Sequence, residues 1–207
     1  LITFAIPLAL IALFAFGGLI LLLYTYPLKH LALGELLIFL IWGPIMVTGI
    51  YVVLAKGWTP NAWMVALAGV PYGLSVASIN VGKHTDKLKQ DRQMGVHTLP
   101  VVIGEKAARY LTISMIVLAY AVILYLIFGA QFFTPVMLLV FLAAKRAFVA
   151  IAVLSKPRPE QAPPNWAGWP TWFSGFCFYH NRLFGNLFVL GLFADTLLRI
   201  FVPGFWH

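Results

Sequence analysis

Charge is scarce in this sequence, acid scarcer than base, and cysteine nearly absent. Only 10% of the 207 residues are Asp, Glu, Lys or Arg while 62% are apolar, whereas soluble domains carry roughly 25% charged and roughly 45–50% apolar residues. So few charges exclude an ordinary soluble domain, and the chain reads as an integral membrane protein. The single cysteine, Cys177, excludes an intramolecular disulfide and any cysteine-rich zinc or iron–sulfur site, and it reads as a packing residue. Six acids against fourteen bases give a formal net charge of +8. Because those bases lie between apolar spans and not on a soluble face, they point to membrane orientation and an anionic ligand, with no nucleic acid partner. No internal repeat or ring-forming charge pattern marks a channel or transporter. An initiating Met, a basic leader and a small-residue cleavage motif are also lacking, so Leu1, inside an apolar run, is expected to be a cut or unassigned start.

What is present is a series of apolar windows. A bilayer core needs about 20 apolar residues per helix, and windows of that size fall at Ile2–Tyr24, Gly34–Leu54, Ala62–Ile79, Ala108–Phe128, Phe132–Leu154 and Phe184–Val202. The expected fold is therefore all-α, a polytopic transmembrane bundle of six helices forming one domain over 1–207. Pro7, Pro44, Pro71 and Pro135 lie inside the windows and predict kinks, which membrane helices tolerate. Gly17, Gly18, Gly43, Gly49, Gly69 and Gly73 predict close helix approach. Ten of the fourteen basic residues fall in the connections after the first, third and fifth windows, against Lys56 and Arg199 on the opposite side. The positive-inside rule places the ten on the cytoplasmic face and both termini outside, and the expected location is a prokaryotic plasma membrane. Lys145 and Arg146 fall within the fifth window, near the cytoplasmic third of that helix or lining a cavity. Asp195 and Arg199, four apart on the last helix, read as a structural ion pair.

Two long connections lie on the basic side. Residues 155–183 open as a Pro-rich linker and become aromatic, from Trp166 through Tyr179, as an interfacial segment or a contact for an acceptor ring or isoprenoid. Residues 80–107 begin with the polar centre of the sequence, Asn80 to Arg92. Continued as helix at 100° per residue, Asn80, His84, Lys87 and Asp91 share one face, whereas Asp86 stands about 140° from Asp91. Both carboxylates meet one ion only if the helix ends or unwinds between them. Asn, Asp and Lys together at a membrane edge suit a Mg²⁺–diphosphate headgroup, because hard cations take carboxylate and amide oxygens and leave positions for phosphate and water. A solvated helix with an attractive Lys87–Asp91 pair is the competing reading; a His84–His97 metal site fits no tight zinc spacing.

Three strings carry a family resemblance. Asp91-Arg92-Gln-Met-Gly95-Val-His-Thr98-Leu99-Pro100-Val-Val-Ile-Gly104 is similar to the stretch following the second Asp-rich motif of the UbiA superfamily of intramembrane prenyltransferases. Tyr24-Thr-Tyr26-Pro27-Leu28-Lys29, then Leu33-Gly34-Glu35-Leu36 and Gly43-Pro44, resembles the loop and helix of its dihydroxynaphthoate (menaquinone) branch. Trp169-Pro-Thr-Trp172, then Arg182-Leu-Phe-Gly185 and Gly191-Leu-Phe-Ala-Asp195, resembles that branch's last loop and helix. The resemblance implies a nine-helix fold of which these six are the last six, with three helices and a first Asp-rich motif ahead of Leu1. It further implies transfer of a polyprenyl group from polyprenyl diphosphate to an aromatic quinone precursor, with membrane lipid around the cavity. Metal positions carried over are Asp91, Asp86 and Asn80, with Asp91 and Asp86 in the catalytic role; Lys29, Lys83, Lys87, Arg92, Tyr24 and Tyr26 would hold the diphosphate. The motif departs from N-x-x-x-D-x-x-x-D, since Lys87 and Lys83 stand four and eight positions before Asp91. A lysine-rich motif can hold diphosphate directly, or mark a non-catalytic subunit serving as scaffold or lipid- and quinone-binding element of a larger membrane complex.

Overall fold

The computed structural model describes residues 8–23, 32–164 and 166–206. Among them every regular element is helical, in the order α1 (Leu8–Leu23), α2 (Gly34–Leu54), α3 (Ala62–Asp86), the short α4 (Leu88–Gln93) and α5 (Leu99–Ile103), α6 (Glu105–Gly129), α7 (Pro135–Leu154) and α8 (Phe173–Phe201). Five of these, α2, α3, α6, α7 and α8, are long and apolar enough to cross a membrane, as an all-α polytopic bundle requires. The other expected span, Ile2–Tyr24, lies partly outside the described residues, and its described part is α1.

Helix α3 is the hub, packing on α2, α6 and α8. The central core is formed by Ala119, Ile123, Leu126 and Ile127 of α6, Val140 of α7, and Phe184 and Phe188 of α8. Successive long helices run in opposite directions, so the starts of α2, α6 and α8 and the ends of α3 and α7 share one end of the bundle. That end carries the polar segment, and it is called here the motif end.

The prolines act differently according to what surrounds them. Pro44 has no N–H to donate and its ring crowds the carbonyl four residues earlier, and α2 answers with a π-helical turn at Ile41–Ile45 in which Gly43 leaves helical dihedrals (φ −115°, ψ −105°). Pro71 lies within a helix that stays continuous from Ala62 to Asp86. Pro135 opens α7, where the missing N–H is no loss, and the first half, Pro135–Ala143, winds as a 3-10 helix.

Two boundaries correct the sequence reading. Helix α3 runs on to Asp86, through residues assigned above to the 80–107 connection, and helix α8 begins at Phe173, eleven positions before its window. Apolarity ends the windows but not the helices, because no proline lies between Asn80 and Asp86 or between Phe173 and Phe184, and Gly82 and Gly175 alone do not stop a helix. The 80–107 segment is thus mostly helical, and Arg182 belongs to the last membrane helix, not to a loop. The start of α8 is covered by an aromatic cluster in which Trp166 stacks on Phe176 with centroids 4.7 Å apart and Trp172 meets both edge-on.

At the opposite end, Asp195 of α8 accepts a hydrogen bond from the Thr134 backbone N–H (2.6 Å) and pairs with Arg199 (2.9 Å), whose guanidinium also donates to the Phe132 carbonyl (2.6 Å). The expected i,i+4 pair is therefore a structural tie to the turn before α7. Arg146 of α7 lies over the Tyr179 ring at 4.2 Å and donates to its carbonyl at 3.0 Å, while Lys145 is exposed.

Helices α2 and α3 meet backbone to backbone. A Cβ added to Gly73 would lie 2.6 Å from the Phe39 carbonyl oxygen and 2.9 Å from the Gly43 Cα, and one on Gly43 would lie 2.9 Å from Gly73 Cα. Gly17 has open space around it. Gly73→Ala is expected to cost about 1–3 kcal/mol, the usual range for overpacking, and Gly17→Ala close to nothing, as read by denaturant unfolding in detergent micelles.

Candidate functional site

The motif end is organised by two aspartates with opposite surroundings. Helix α3 stops at Asp86 because Lys87 leaves helical dihedrals (φ −100°, ψ 10°), and the chain resumes as α4. That break separates the carboxylates and does not bring them together. Asp86 turns toward α8: its Oδ2 accepts from the backbone N–H of Trp172 (3.0 Å) and of Ser174 (3.0 Å) and from the Ser174 hydroxyl (2.7 Å), and its Oδ1 accepts from Phe173 N–H (2.9 Å). Arg158 Nε lies 3.8 Å from Oδ1. Asp86 therefore caps the last helix from another element, meeting the N–H groups a helix start leaves unpaired with a charge that favours its dipole. The expectation of Asp86 as a metal ligand meets a carboxylate whose oxygens are already occupied.

Asp91, on α4, is buried on the other side. Its Oδ2 lies 2.9 Å from His84 Nδ1 and accepts from the Thr98 hydroxyl at 3.4 Å, while Lys87 Nζ lies 3.9 Å from Oδ1. The face shared by His84, Lys87 and Asp91 is thus realised, with one aspartate oxygen facing only a lysine among the described residues. Glu35 at the start of α2, 2% exposed, accepts from the Leu99 N–H at 3.2 Å and lies within electrostatic reach of His84 and Asp91. The amide Nδ2 of Asn80 is buried without a hydrogen-bond partner among the described residues.

Between the end of α3 and the segment before α8 lies a cavity of about 440 Å³ bordered by Lys83, Lys87, Lys89 and Arg158, with Asp86 and Thr171 on its wall. Arg158 is held there by its donation to the Pro170 carbonyl (2.7 Å), by Trp169, whose ring it covers at 4.4 Å, and by its backbone N–H on Glu105 (3.3 Å). Four cations thus border one small space whose wall also carries the Asp86 carboxylate, an excess of positive charge that suits an anion.

Of the residues singled out in the sequence, Lys83 and Lys87 meet at this cavity, and Asp91 stands beside it through Lys87. Asp86 serves the helix start, and Arg92 is exposed on α4 outside the cavity. Tyr24, Tyr26 and Lys29 lie outside the described residues. Sequence reasoning passed over Lys89, Arg158, Thr98 and Glu35. Glu35 carried a usable signal, an acid at the head of an apolar window; Arg158, in a Pro-rich linker, carried none. The described residues hold no cluster of three or more His, Cys, Asp or Glu side chains suited to a metal. Asp91 alone offers a carboxylate oxygen, which fits Mg²⁺ only where phosphate and water complete the shell.

The model of the UbiA prenyltransferase family matches residues 1–176. The chain belongs to this family. In sequence it is similar to the UbiA prenyltransferase domain-containing protein 1 homolog of Drosophila melanogaster, 32% identical over 127 residues that make up 59% of this chain and 33% of the relative. The chain thus spans about a third of that relative's length. No solved structure matches it. The matched residues include the whole UbiA-type motif end, from Glu35 through Asp86 and Asp91 to the start of α8.

Asp86→Ala leaves three backbone N–H groups and a hydroxyl without an acceptor at a buried helix start. It is expected to destabilise the bundle by about 2 kcal/mol or more, the upper range for a lost cap. Hydrogen exchange should accelerate at residues 172–174 and remain unchanged at the start of α6.

Proposed function

We propose that the protein of which this chain is part transfers a polyprenyl group from polyprenyl diphosphate to an aromatic acceptor, a quinone precursor, within the membrane, and that the motif end holds the diphosphate. Family membership supports prenyltransferase-type chemistry in general. The observation that carries the particular reading is the convergence of Lys83, Lys87, Lys89 and Arg158 on one cavity at the end of an apolar bundle.

The chemistry follows from the charges. Cleavage of the allylic C–O bond leaves a carbocation-like carbon and builds negative charge on the departing diphosphate, so cations already in place stabilise that charge as it develops. Lys83, Lys87 and Lys89 act as point charges. Arg158, pinned by Pro170 and Trp169, presents a guanidinium of fixed orientation. Attack by the electron-rich ring on the allylic carbon forms the new C–C bond, the attacked ring carbon then gives up its proton, for which the released diphosphate is a base, and apolar walls keep water from the allylic carbon. Mg²⁺, when bound, would further neutralise the diphosphate; in this reading Asp91 would be its protein ligand, with Asn80, whose amide is buried without a partner among the described residues, as a further candidate. Asp86 contributes by fixing the start of α8 and the wall of the cavity. The basic end is taken as cytoplasmic on the charge count of the loops.

A second reading, a non-catalytic subunit that keeps the fold and binds lipid or quinone in a larger complex, is favoured by the occupied carboxylate of Asp86. The two readings part on one measurement. With the full-length protein and a labelled prenyl diphosphate, the transferase reading expects Mg²⁺-dependent diphosphate release, lowered at least tenfold by Asp91→Ala. It expects the Lys83→Glu/Lys87→Glu pair to raise the KM for the donor. Protein that co-purifies stoichiometrically with a membrane complex and releases no diphosphate would establish the second reading instead.

A further inference from the structure

Lys145 and Arg146 of α7 and Arg182 of α8 serve neither the basic cavity nor the core. Arg182 is the tenth of the 29 residues of α8, about 14 Å from a start that lies at the motif end. Lys145 and Arg146 stand nine and eight residues before Leu154, where α7 finishes at the same end, and so lie about 12–14 Å from it. The two helices therefore bring their cations to one level, and a contact fixes it. The Arg146 guanidinium covers the Tyr179 ring at 4.2 Å and donates to the Tyr179 carbonyl at 3.0 Å, one turn before Arg182. Beyond that contact none of the three cations has a hydrogen bond or ion pair among the described residues, and Lys145 and Arg182 are exposed. Asp195, the one acid on either helix, is paired with Arg199 at the far end.

That level is the edge of the hydrocarbon. Two residues after Arg182 begins the apolar stretch Phe184–Val202, which as helix is about 28 Å long, close to the thickness of a bilayer core. Toward the far end Leu142, Val189, Leu190 and Phe193 are each more than half exposed, as side chains facing acyl chains are. Charges are costly among those chains, and the layer just above them holds phospholipid headgroups. Arg meets a phosphodiester with its planar fork and Lys as a point charge, and Tyr179, exposed beside Arg146, is the kind of aromatic residue this layer favours. Three cations with no acid beside them select a headgroup of net negative charge over a zwitterionic one.

We propose that the seam between α7 and α8 binds one anionic phospholipid in the leaflet at the motif end. Its phosphate lies between Arg146 and Arg182 beside Tyr179, Lys145 adds charge from the lipid side, and its acyl chains follow the apolar faces of the two helices. The site shares no residue with the basic cavity and stands whether or not the chain transfers a prenyl group.

The test uses the full-length protein in nanodiscs of phosphatidylcholine with a minority of phosphatidylglycerol, followed by native mass spectrometry of the released protein. Phosphatidylglycerol should be retained about fivefold or more above its share of the bilayer, the preference that roughly one contact between a cation and an anionic headgroup supplies. Arg182→Gln should bring retention down to that share and leave the unfolding temperature in pure phosphatidylcholine unchanged, because Arg182 holds no contact in the fold. Arg146→Gln should lower retention likewise, with some loss of stability from the missing carbonyl bond. Lys106→Gln removes an exposed charge of the motif end away from the seam and should keep the preference. Wild-type retention in Arg182→Gln overturns the proposal, and so does an equal fall in Lys106→Gln, which would reduce the effect to net charge. An adduct with the mass of inorganic phosphate that requires the same arginines and excludes the lipid overturns it as well, by assigning the seam to a free anion.

Discussion

The motif end depends on the Asp86 carboxylate meeting the N–H groups of Trp172, just before α8, and of Phe173 and Ser174, its first two residues. A membrane helix begins with backbone donors that lipid cannot satisfy, and here they are satisfied from the end of a different helix. The contact therefore does two tasks at once. It lets a 29-residue helix start abruptly against a tryptophan-rich segment, and it sets the distance between the end of α3 and the start of α8. The cavity bordered by lysines and Arg158 lies along that junction, so its width follows from a helix cap.

Around this junction the remaining polar contacts read as supports. Arg109 donates to the last carbonyl of α7 (3.0 Å) and pairs with Glu105 (3.3 Å), whose carboxylate in turn receives the Arg158 N–H. Glu35 ties α2 to the segment that follows Asp91. Asp195 and Arg199 perform the matching task at the far end. Acids are the rarest charged type in the chain, and four of the six, Glu35, Asp86, Glu105 and Asp195, join one helix to another element.

Fold class and span positions were legible because apolar length alone decides them, and the first span is the one the described residues cover in part. The close approach of α2 and α3 was legible from Gly43, Gly69 and Gly73. Helix ends were not. Hydropathy falls at Asn80 before α3 ends, and ahead of the last span it recovers only at Phe184, after α8 has begun, while hydrogen bonding carries both helices past those points. His84, Lys87 and Asp91 were expected on one helical face, and the contacts of Asp91 with His84 and Lys87 keep to it although the helix breaks at Lys87; that His84 is the partner of Asp91 was not foreseen. The partner of Asp86 could not be foreseen, because it lies more than eighty positions away and consists of backbone N–H groups, which look alike in every sequence. Arg158 was hidden for the same reason, its place being set by a proline carbonyl and a tryptophan ring.

The π-helical turn of α2 puts more than the usual residues into one revolution, so the helix changes rotational phase at Pro44. Glu35, Gly34 and Leu37 before it and Thr48 and Val52 after it are all buried; in an uninterrupted helix Thr48 and Val52 would repeat the positions of Leu37 and Gly34, so the turn at Pro44 rotates one pair relative to the other. The segment works as two short helices joined at a kink. One half answers to the polar end and the other to the packing of the bundle, so each can drift in sequence without turning the other.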